Sequence, residues 1–451
     1  MNAANDGGAE GRQGRLTLDE LAVEVKAGHI DTVLLAITDM QGRLQGKRLD
    51  ANFFVDEVVP HAAEGCNYLL AVDVDMNTVG GYELASWDKG YGDFVMRPDL
   101  ETIRTIPWHE NTAMVIADIV TTTGEEVEPS PRRILKRQLQ RLSDRGYSAY
   151  VGTELEFIVF DETYKEAWAK GYRQLTPANQ YNVDYSLMGT ARIEPLLRRI
   201  RLAMAGAGMQ VESAKGECSR GQHEIAFRYT DALTKADEHP LYKTGAKEIA
   251  AQEGHSLTFM AKFDEDEGNS CHIHFSLRTE AGKAVFSEHA LAGMLESLKE
   301  TVLFLAPNIN SYKRFSKGTF APTAVAWGED NRTCAFRVVG HGDARRIECR
   351  VPGGDVNPYL AIAALVAGAV RGIDEELVLE ERWHGNAHES EKPRVPSTMR
   401  EATELFTNSA FNREAFGDEV VDHYTNYARV ELDAYDAAVT DWERYRGFER
   451  L

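Results

Sequence analysis

The sequence predicts an α+β protein with a small, strand-rich N-terminal domain and a larger domain in which short strands alternate with helices. Three observations carry this. At 451 residues and 50.3 kDa the chain is long enough for a large core, and its length favours two or more domains over one. Its organisation turns on one break, "TTTGEEVEPSP" (Thr121 to Pro131), where Gly, Pro, Ser and acids concentrate as in a linker. Beyond that break, runs such as "AYVGTELEFIVF" and "SCHIHFSL" read as strands and "RIEPLLRRIRLAMAGAG" as a helix.

In chain order, residues 1–14 contain no apolar h-region of a secretory signal and read as a disordered lead-in. "TLDELAVEVKAGHI" is a short helix capped by Thr17, and "DTVLLAITDMQGRLQGKRL" is two strands joined by a turn at Gln41-Gly42. The strand-rich mode continues to about Asp118, which gives a first domain over 15–126 and a second over 127–451. The second opens on "PRRILKRQLQRLSDRG", whose Ile134, Leu135, Leu139 and Leu142 recur at helical spacing before Gly146 ends the helix. Strands are expected in "AYVGTELEFIVF", "GQHEIAFRY", "SCHIHFSL" and "RRIECRV". The run "YLAIAALVAGAV" (Tyr359 to Val370) is too short to span a bilayer and reads as a buried core helix.

Composition excludes several classes of partner. The balance of 71 acidic against 50 basic residues, a formal charge of -21, repels nucleic acid and anionic lipid. The five cysteines are odd in number and form no CxxC pair, which favours mostly buried free thiols in a reducing cytoplasm over disulfides or structural zinc. No P-loop is present: "GRLQGKR" has the wrong spacing and lacks Ser or Thr after its lysine. No GxGxxG follows a strand either.

The strands of the large domain carry ionisable residues where a core strand should be apolar. Glu154 and Glu156 share a face in "GTELEFIVF", as do His272 and His274 in "SCHIHFSL"; "GECSRGQHEIAF" supplies Glu217 and Glu224, and "RIECRV" supplies Glu348 and Arg350. Each pair alone reads as a solvated strand face, a structural histidine or a surface ion pair. Together, if the strands are neighbours, the carboxylates and imidazoles converge on one space, and burying so many like charges requires cations. A carboxylate-rich, thiolate-free set suits Mg²⁺ or Mn²⁺. Arg314, Arg332, Arg337 and Arg350, set among small residues, add forks suited to a phosphate or carboxylate ligand such as ATP.

These motifs, in this order over nearly the whole chain, resemble the glutamine synthetase family, class I-like. The resemblance implies a β-grasp-like N-terminal domain and a catalytic domain built as a split barrel of antiparallel strands with helices. It implies at least two divalent ions per site. Glu156, Glu217 and Glu224 match the ligands of one, and Glu154, His272 and Glu348 those of another. His274, Ser276, Arg332 and Arg337 match ATP contacts; Gly268, Arg314 and Arg350 match glutamate contacts; Arg332, Arg350 and Glu348 form the catalytic group. It also implies a homo-oligomer, a dodecamer, with active sites between subunits.

Departures from the family bear on the substrate. Ammonia-using members carry a flap glutamate six residues after the equivalent of Arg314, where this chain has Phe320. A neutral ring is neither a base nor a counter-ion, though its face packs a carbon chain or attracts a cation. The "DGSS" signature of the small domain is also missing, and "EKPRVPSTMREA" stands in place of an "NLY" loop. The similarity is greatest to γ-glutamylamine ligases of the γ-glutamylethanolamide type. Glutamate, ATP and a primary amine are then the substrates, with ethanolamine ranked before putrescine or spermidine, then ammonia, then a catalytically silent regulatory homologue. Asp73, Asp75, Asp88 and Asp93 suit an amine subsite or an ordinary solvated loop.

Overall fold

Alternation and turn chemistry build two separate sheets in this computed structural model, which describes residues 14–316 and 319–451. The lead-in expected over 1–14 lies outside the described residues apart from Gly14, whose carbonyl accepts the Thr105 N–H at 2.8 Å. Thr17 caps the helix Leu18–Lys26 in a capping box with Glu20. β1 (Thr32–Thr38) and β2 (Leu44–Asp50) pair antiparallel around a turn where Gly42 takes φ +79°, a left-handed conformation open to glycine without a steric penalty. With β3 (Ala63–Cys66), β4 (Asp93–Thr105) and β5 (Thr112–Thr121) they form a five-stranded sheet ordered β2-β1-β5-β4-β3.

The second sheet has ten strands. β6 (Tyr147–Phe160), β7 (Val211–Gly216), β8 (Gln222–Phe227), β11 (Cys271–Thr279), β13 (Ala324–Glu329), β14 (Cys334–Val339) and β15 (Arg346–Cys349) run in the order β13-β14-β15-β11-β6-β8-β7. The short β9 (Thr230–Asp231) and β10 (Ser256–Thr258) add to β6, and β12 (Ala284–Val285) adds to β11. Pairing is antiparallel except between β13 and β14, which run parallel, a departure from the all-antiparallel expectation. Alternation sorts each central strand into two faces. Cys271, Ile273, Phe275 and Leu277 of β11 and Leu155, Phe157 and Val159 of β6 are buried in the core, which leaves His272, His274, Glu154 and Glu156 for the other face.

Helices cover the apolar face. The helix Pro358–Asp374 is buried without a break from Pro358 to Val370, as its apolar sequence requires. It packs on the helix Glu288–Leu305 through glycines; a Cβ on Gly293 would stand 2.1 Å from the Gly368 carbonyl oxygen, so the close approach excludes any side chain there. No helix among the described residues is long and apolar enough to cross a membrane.

The five-stranded sheet is tied to the helices that follow it at Arg132, at the start of the helix Pro131–Ser143. Its guanidinium donates to Asp99 of β4 (2.6 Å), Asp118 of β5 (2.7 Å) and Asp237 of the helix Ala232–Gln252 (2.9 and 3.0 Å). Tyr359 donates to the same Asp237 at 2.6 Å. Arg132 and Asp237 are both buried, so truncating the cation leaves a buried carboxylate without its charge partner. Arg132→Leu is expected to cost about 3–5 kcal/mol of stability, read as a lowered unfolding midpoint in denaturant; an unchanged midpoint would show that the hub contributes nothing.

Candidate metal and substrate site

Strand register assembles the site. His272 of β11 lies opposite Glu154 of β6, and Glu156 of β6 opposite Glu224 of β8. On the other flank His274 lies opposite Glu348 of β15, which lies opposite Arg337 of β14; at the far edge Lys215 of β7 lies opposite Glu224. The period of two then turns all of these side chains toward one side of the sheet.

That side holds two adjoining cavities. One, of about 590 Å³, is lined by Glu154, Glu156, Glu217, Glu224, Gly268, His272, Arg314, Phe320, Arg332, Arg337 and Arg350, with Asp184, Tyr185, Lys215 and Glu267 among others. The second, of about 450 Å³, is lined by His274, Ser276, Arg278, Arg345 and Arg346, with Tyr150 and Tyr229. Glu154 and Glu212 line both. Glu348 lies beneath them with no exposed surface.

Glu156, Glu217 and Glu224 each offer an oxygen within 4.8 Å of the other two. Burial, reinforced by Glu217, pushes the Glu156 carboxyl up to about 8. Glu217 and Glu224 are also raised, chiefly by burial. Neutral donors serve Glu156, from Ser270 N–H (2.7 Å) and Gln222 Nε2 (3.0 Å), and Lys215 pairs with Glu217. A set of buried, mutually repelling oxygen donors fits a hard divalent cation.

The second group gathers on Glu154. His272 Nδ1 lies 3.3 Å from one of its oxygens and His274 Nε2 lies 2.9 Å from the other. Burial raises this carboxyl, but the two histidines outweigh burial and hold it low. His272 Nδ1 is also 3.6 Å from Glu348, and His274 forms a group with Glu154 and Glu348 in which the ligand atoms all lie within 4.8 Å of one another, so both imidazoles stand at these carboxylates. His274 Nδ1 accepts from Arg346 Nε at 3.1 Å. Burial, with Arg350 nearby, pushes His272 down to about 4, so its ring is neutral, the form a metal needs. Its Nε2 is buried and finds no hydrogen-bond partner among the described residues.

Arginines complete the constellation. Arg350 and Arg337 both donate to Glu348, the latter at 2.9 Å, and Arg337 also reaches Asp330 at 3.0 Å. Arg314 donates to the Pro352 carbonyl at 2.7 Å. Arg314 Nε and Nη1 and Arg350 Nε are buried without a partner among the described residues. Buried guanidinium N–H groups at a cavity wall require an acceptor, and a carboxylate or phosphate supplies it with matching geometry. Arg332 stands exposed in the turn between β13 and β14.

Some residues escaped the sequence reading. Lys215 was legible, since it stands two before Glu217 and shares its face; Gln222 stands likewise two before Glu224. Asp184, Tyr185 and Glu267 come from loops whose path no periodicity reveals. Cys218, read as an ordinary thiol, lies at the cavity rim, 3.6 Å from Asp184. All five cysteines are free, and Cys271, Cys334 and Cys349 are buried. Asp73, Asp75, Asp88 and Asp93 line neither cavity.

Comparison with known proteins agrees with this geometry. The sequence model of the family described as "Glutamine synthetase, catalytic domain" matches residues 128–446. The chain is 63% identical over 445 residues to the γ-glutamylethanolamide synthetase of Streptomyces coelicolor, covering 97% of this chain and 96% of that one. It is 34% identical over 440 residues to a glutamate–isopropylamine ligase of a Pseudomonas species, covering 94% and 96%. The solved structure of ligand-free GmaS superposes with a TM-score of 0.83 at 25% identity, over 95% of this chain and 99% of that one, and so shares the α+β split-barrel architecture. The chain belongs to the glutamine synthetase family.

Proposed function

We propose that this protein is an ATP-dependent glutamate–amine ligase that joins the γ-carboxylate of glutamate to ethanolamine through a γ-glutamyl phosphate. The observation that carries it is the cavity where the unpartnered guanidinium groups of Arg314 and Arg350 meet the Glu156–Glu217–Glu224 carboxylates beside an uncharged Phe320. The named activities of the Streptomyces and Pseudomonas relatives, both glutamate–amine condensations, support the same reaction.

In this reading Arg314, Arg350 and Gly268 hold glutamate, while His274, Ser276, Arg332 and Arg337 hold ATP. Glu156, Glu217 and Glu224 form one Mg²⁺ or Mn²⁺ site, and Glu154, His272 and Glu348 another, with His274 a rival ligand on the observed spacing. Divalent ions bound there supply Lewis-acid neutralisation of phosphate charge. A carboxylate is a poor electrophile, so its oxygen first takes the γ-phosphoryl group of ATP, with the arginines stabilising charge in an in-line transfer. The uncharged amine then attacks the acyl carbon, phosphate leaves with the bonding pair, the nitrogen gives up one proton to solvent or phosphate, and the neutral amide remains. Enclosure protects the acyl phosphate from water. A dodecameric ring with sites shared between subunits belongs to the reading: Asp73, Asp75, Asp88 and Asp93 line neither of the two site cavities of their own chain, and a neighbouring subunit would bring them to one. ATP, glutamate and free thiols suit the cytoplasm.

The test is phosphate release with glutamate, ATP and Mg²⁺, offering ethanolamine, putrescine, spermidine and ammonia separately and identifying the amide by mass. Release that depends on ethanolamine, with little for ammonia, is expected. A polyamine as best substrate would make the protein a γ-glutamylpolyamine synthetase, ammonia a glutamine synthetase, and no turnover with any amine a silent homologue.

A further inference from the structure

We infer that Lys215 is an internal counter-ion that occupies the Glu156–Glu217–Glu224 cluster until a divalent ion displaces it from Glu217. The inference rests on the reading of these carboxylates as metal-holding. Lys215 rises from β7 directly opposite Glu224 of β8, and its Nζ donates to the Glu217 carboxylate. The ammonium also sits over the Tyr185 ring, 4.7 Å from its centroid, in a cation–π contact. Its side chain is 24% exposed and lines the larger cavity, so it is held within the cluster rather than extended into solvent.

Charge and competition for oxygens both follow from this placement. Three carboxylates within 4.8 Å of one another repel strongly whenever they ionise in a buried place, and one ammonium removes part of that repulsion. A divalent ion added beside Lys215 brings the cluster to neutrality; in the absence of the lysine the same ion leaves a net negative charge. A Glu217 oxygen engaged by Nζ is not free to ligate, so an arriving ion has to take that oxygen and push the ammonium toward Tyr185 and the open cavity. Lys215 therefore does two opposed things: it holds the metal-free cluster together, and it weakens the cluster's grip on metal. Among the described residues the Glu154–His–Glu348 group has no lysine of this kind, its cations being the arginines that bind Glu348. That difference makes it an internal reference.

The experiment titrates Mn²⁺ into chelator-stripped full-length protein, followed by calorimetry and by electron paramagnetic resonance of free Mn²⁺. Wild type is compared with Lys215→Met, Lys215→Arg and Glu224→Gln, and each is melted in chelator and in saturating Mn²⁺. Lys215→Met is expected to tighten one class of Mn²⁺ site by at least about tenfold, because a neighbouring positive charge is removed. The other class should stay as in wild type, and Lys215→Arg should keep wild-type affinity. Lys215→Met should also melt lower than wild type in chelator and recover in Mn²⁺. Unchanged or weaker Mn²⁺ binding by Lys215→Met, with Glu224→Gln weakened, overturns the counter-ion role alone, as does a melting deficit that Mn²⁺ fails to repair. Unchanged binding by Glu224→Gln overturns the metal reading beneath it.

Discussion

Glu348→Gln should lower the rate of γ-glutamyl amide formation by about a thousandfold, equivalent to about 4 kcal/mol of lost transition-state stabilisation. Glu348 has no exposed surface and is the common acceptor for Arg337 and Arg350, with His272 3.6 Å away. Burial favours its neutral form, but His272, Arg350, His274 and Arg337 together outweigh burial and keep its pKa below the ordinary carboxylate value. It is thus an ionised group fixed between two guanidinium groups and beside two imidazoles. An amide of the same shape keeps the packing but removes the charge, so the two arginines lose the partner that aims them at the cavity, and one proposed metal group loses an oxygen donor. The variant would also lose some stability, since removing one member of a buried ionic cluster leaves the others uncompensated. Thermal melting separates this from catalysis: protein that is folded at the assay temperature yet inactive meets the expectation. Activity within about tenfold of wild type would remove Glu348 from the catalytic group.

Much of this site was legible in the sequence because a strand declares its faces. Glu154 with Glu156, and His272 with His274, each stand two apart in otherwise apolar runs, and that spacing alone places them on a common side. Register was not legible. Nothing in the local sequence says that Glu156 will lie opposite Glu224 or His274 opposite Glu348, since pairing between segments more than sixty residues apart is decided by the packing of the whole sheet. The same limit hid the parallel pairing of β13 with β14. Register brings both imidazoles to Glu154 and leaves His272 Nδ1 3.6 Å from Glu348, while Arg346 donates to His274. Loop residues were the least accessible: Asp184 and Tyr185 reach the cavity from a segment with no period to read.

Phe320→Glu should shift the enzyme from alkylamine toward ammonia, changing the ratio of kcat/KM for ethanolamine over ammonia by about a hundredfold or more. Phe320 is 56% exposed and lines the cavity that holds the carboxylate cluster, so its ring faces the space an incoming amine must cross. An alkylammonium brings a carbon chain, which an aromatic face packs, and a cation, which the same face attracts by about 0.5–2 kcal/mol. Ammonium brings no chain and needs a counter-charge and a base, which a ring cannot supply. Glutamate at this position supplies both and removes the apolar surface, so the two substrates respond in opposite directions. Phe320→Leu separates the causes. It keeps an apolar wall without the π face, so ammonia should stay a poor substrate while KM for ethanolamine rises several-fold. If Phe320→Glu lowers turnover of both amines equally, residue 320 shapes the cavity without selecting the substrate, and selectivity then lies with acids closer to Glu217, such as Asp184, which offers an oxygen within 4.8 Å of one of Glu217.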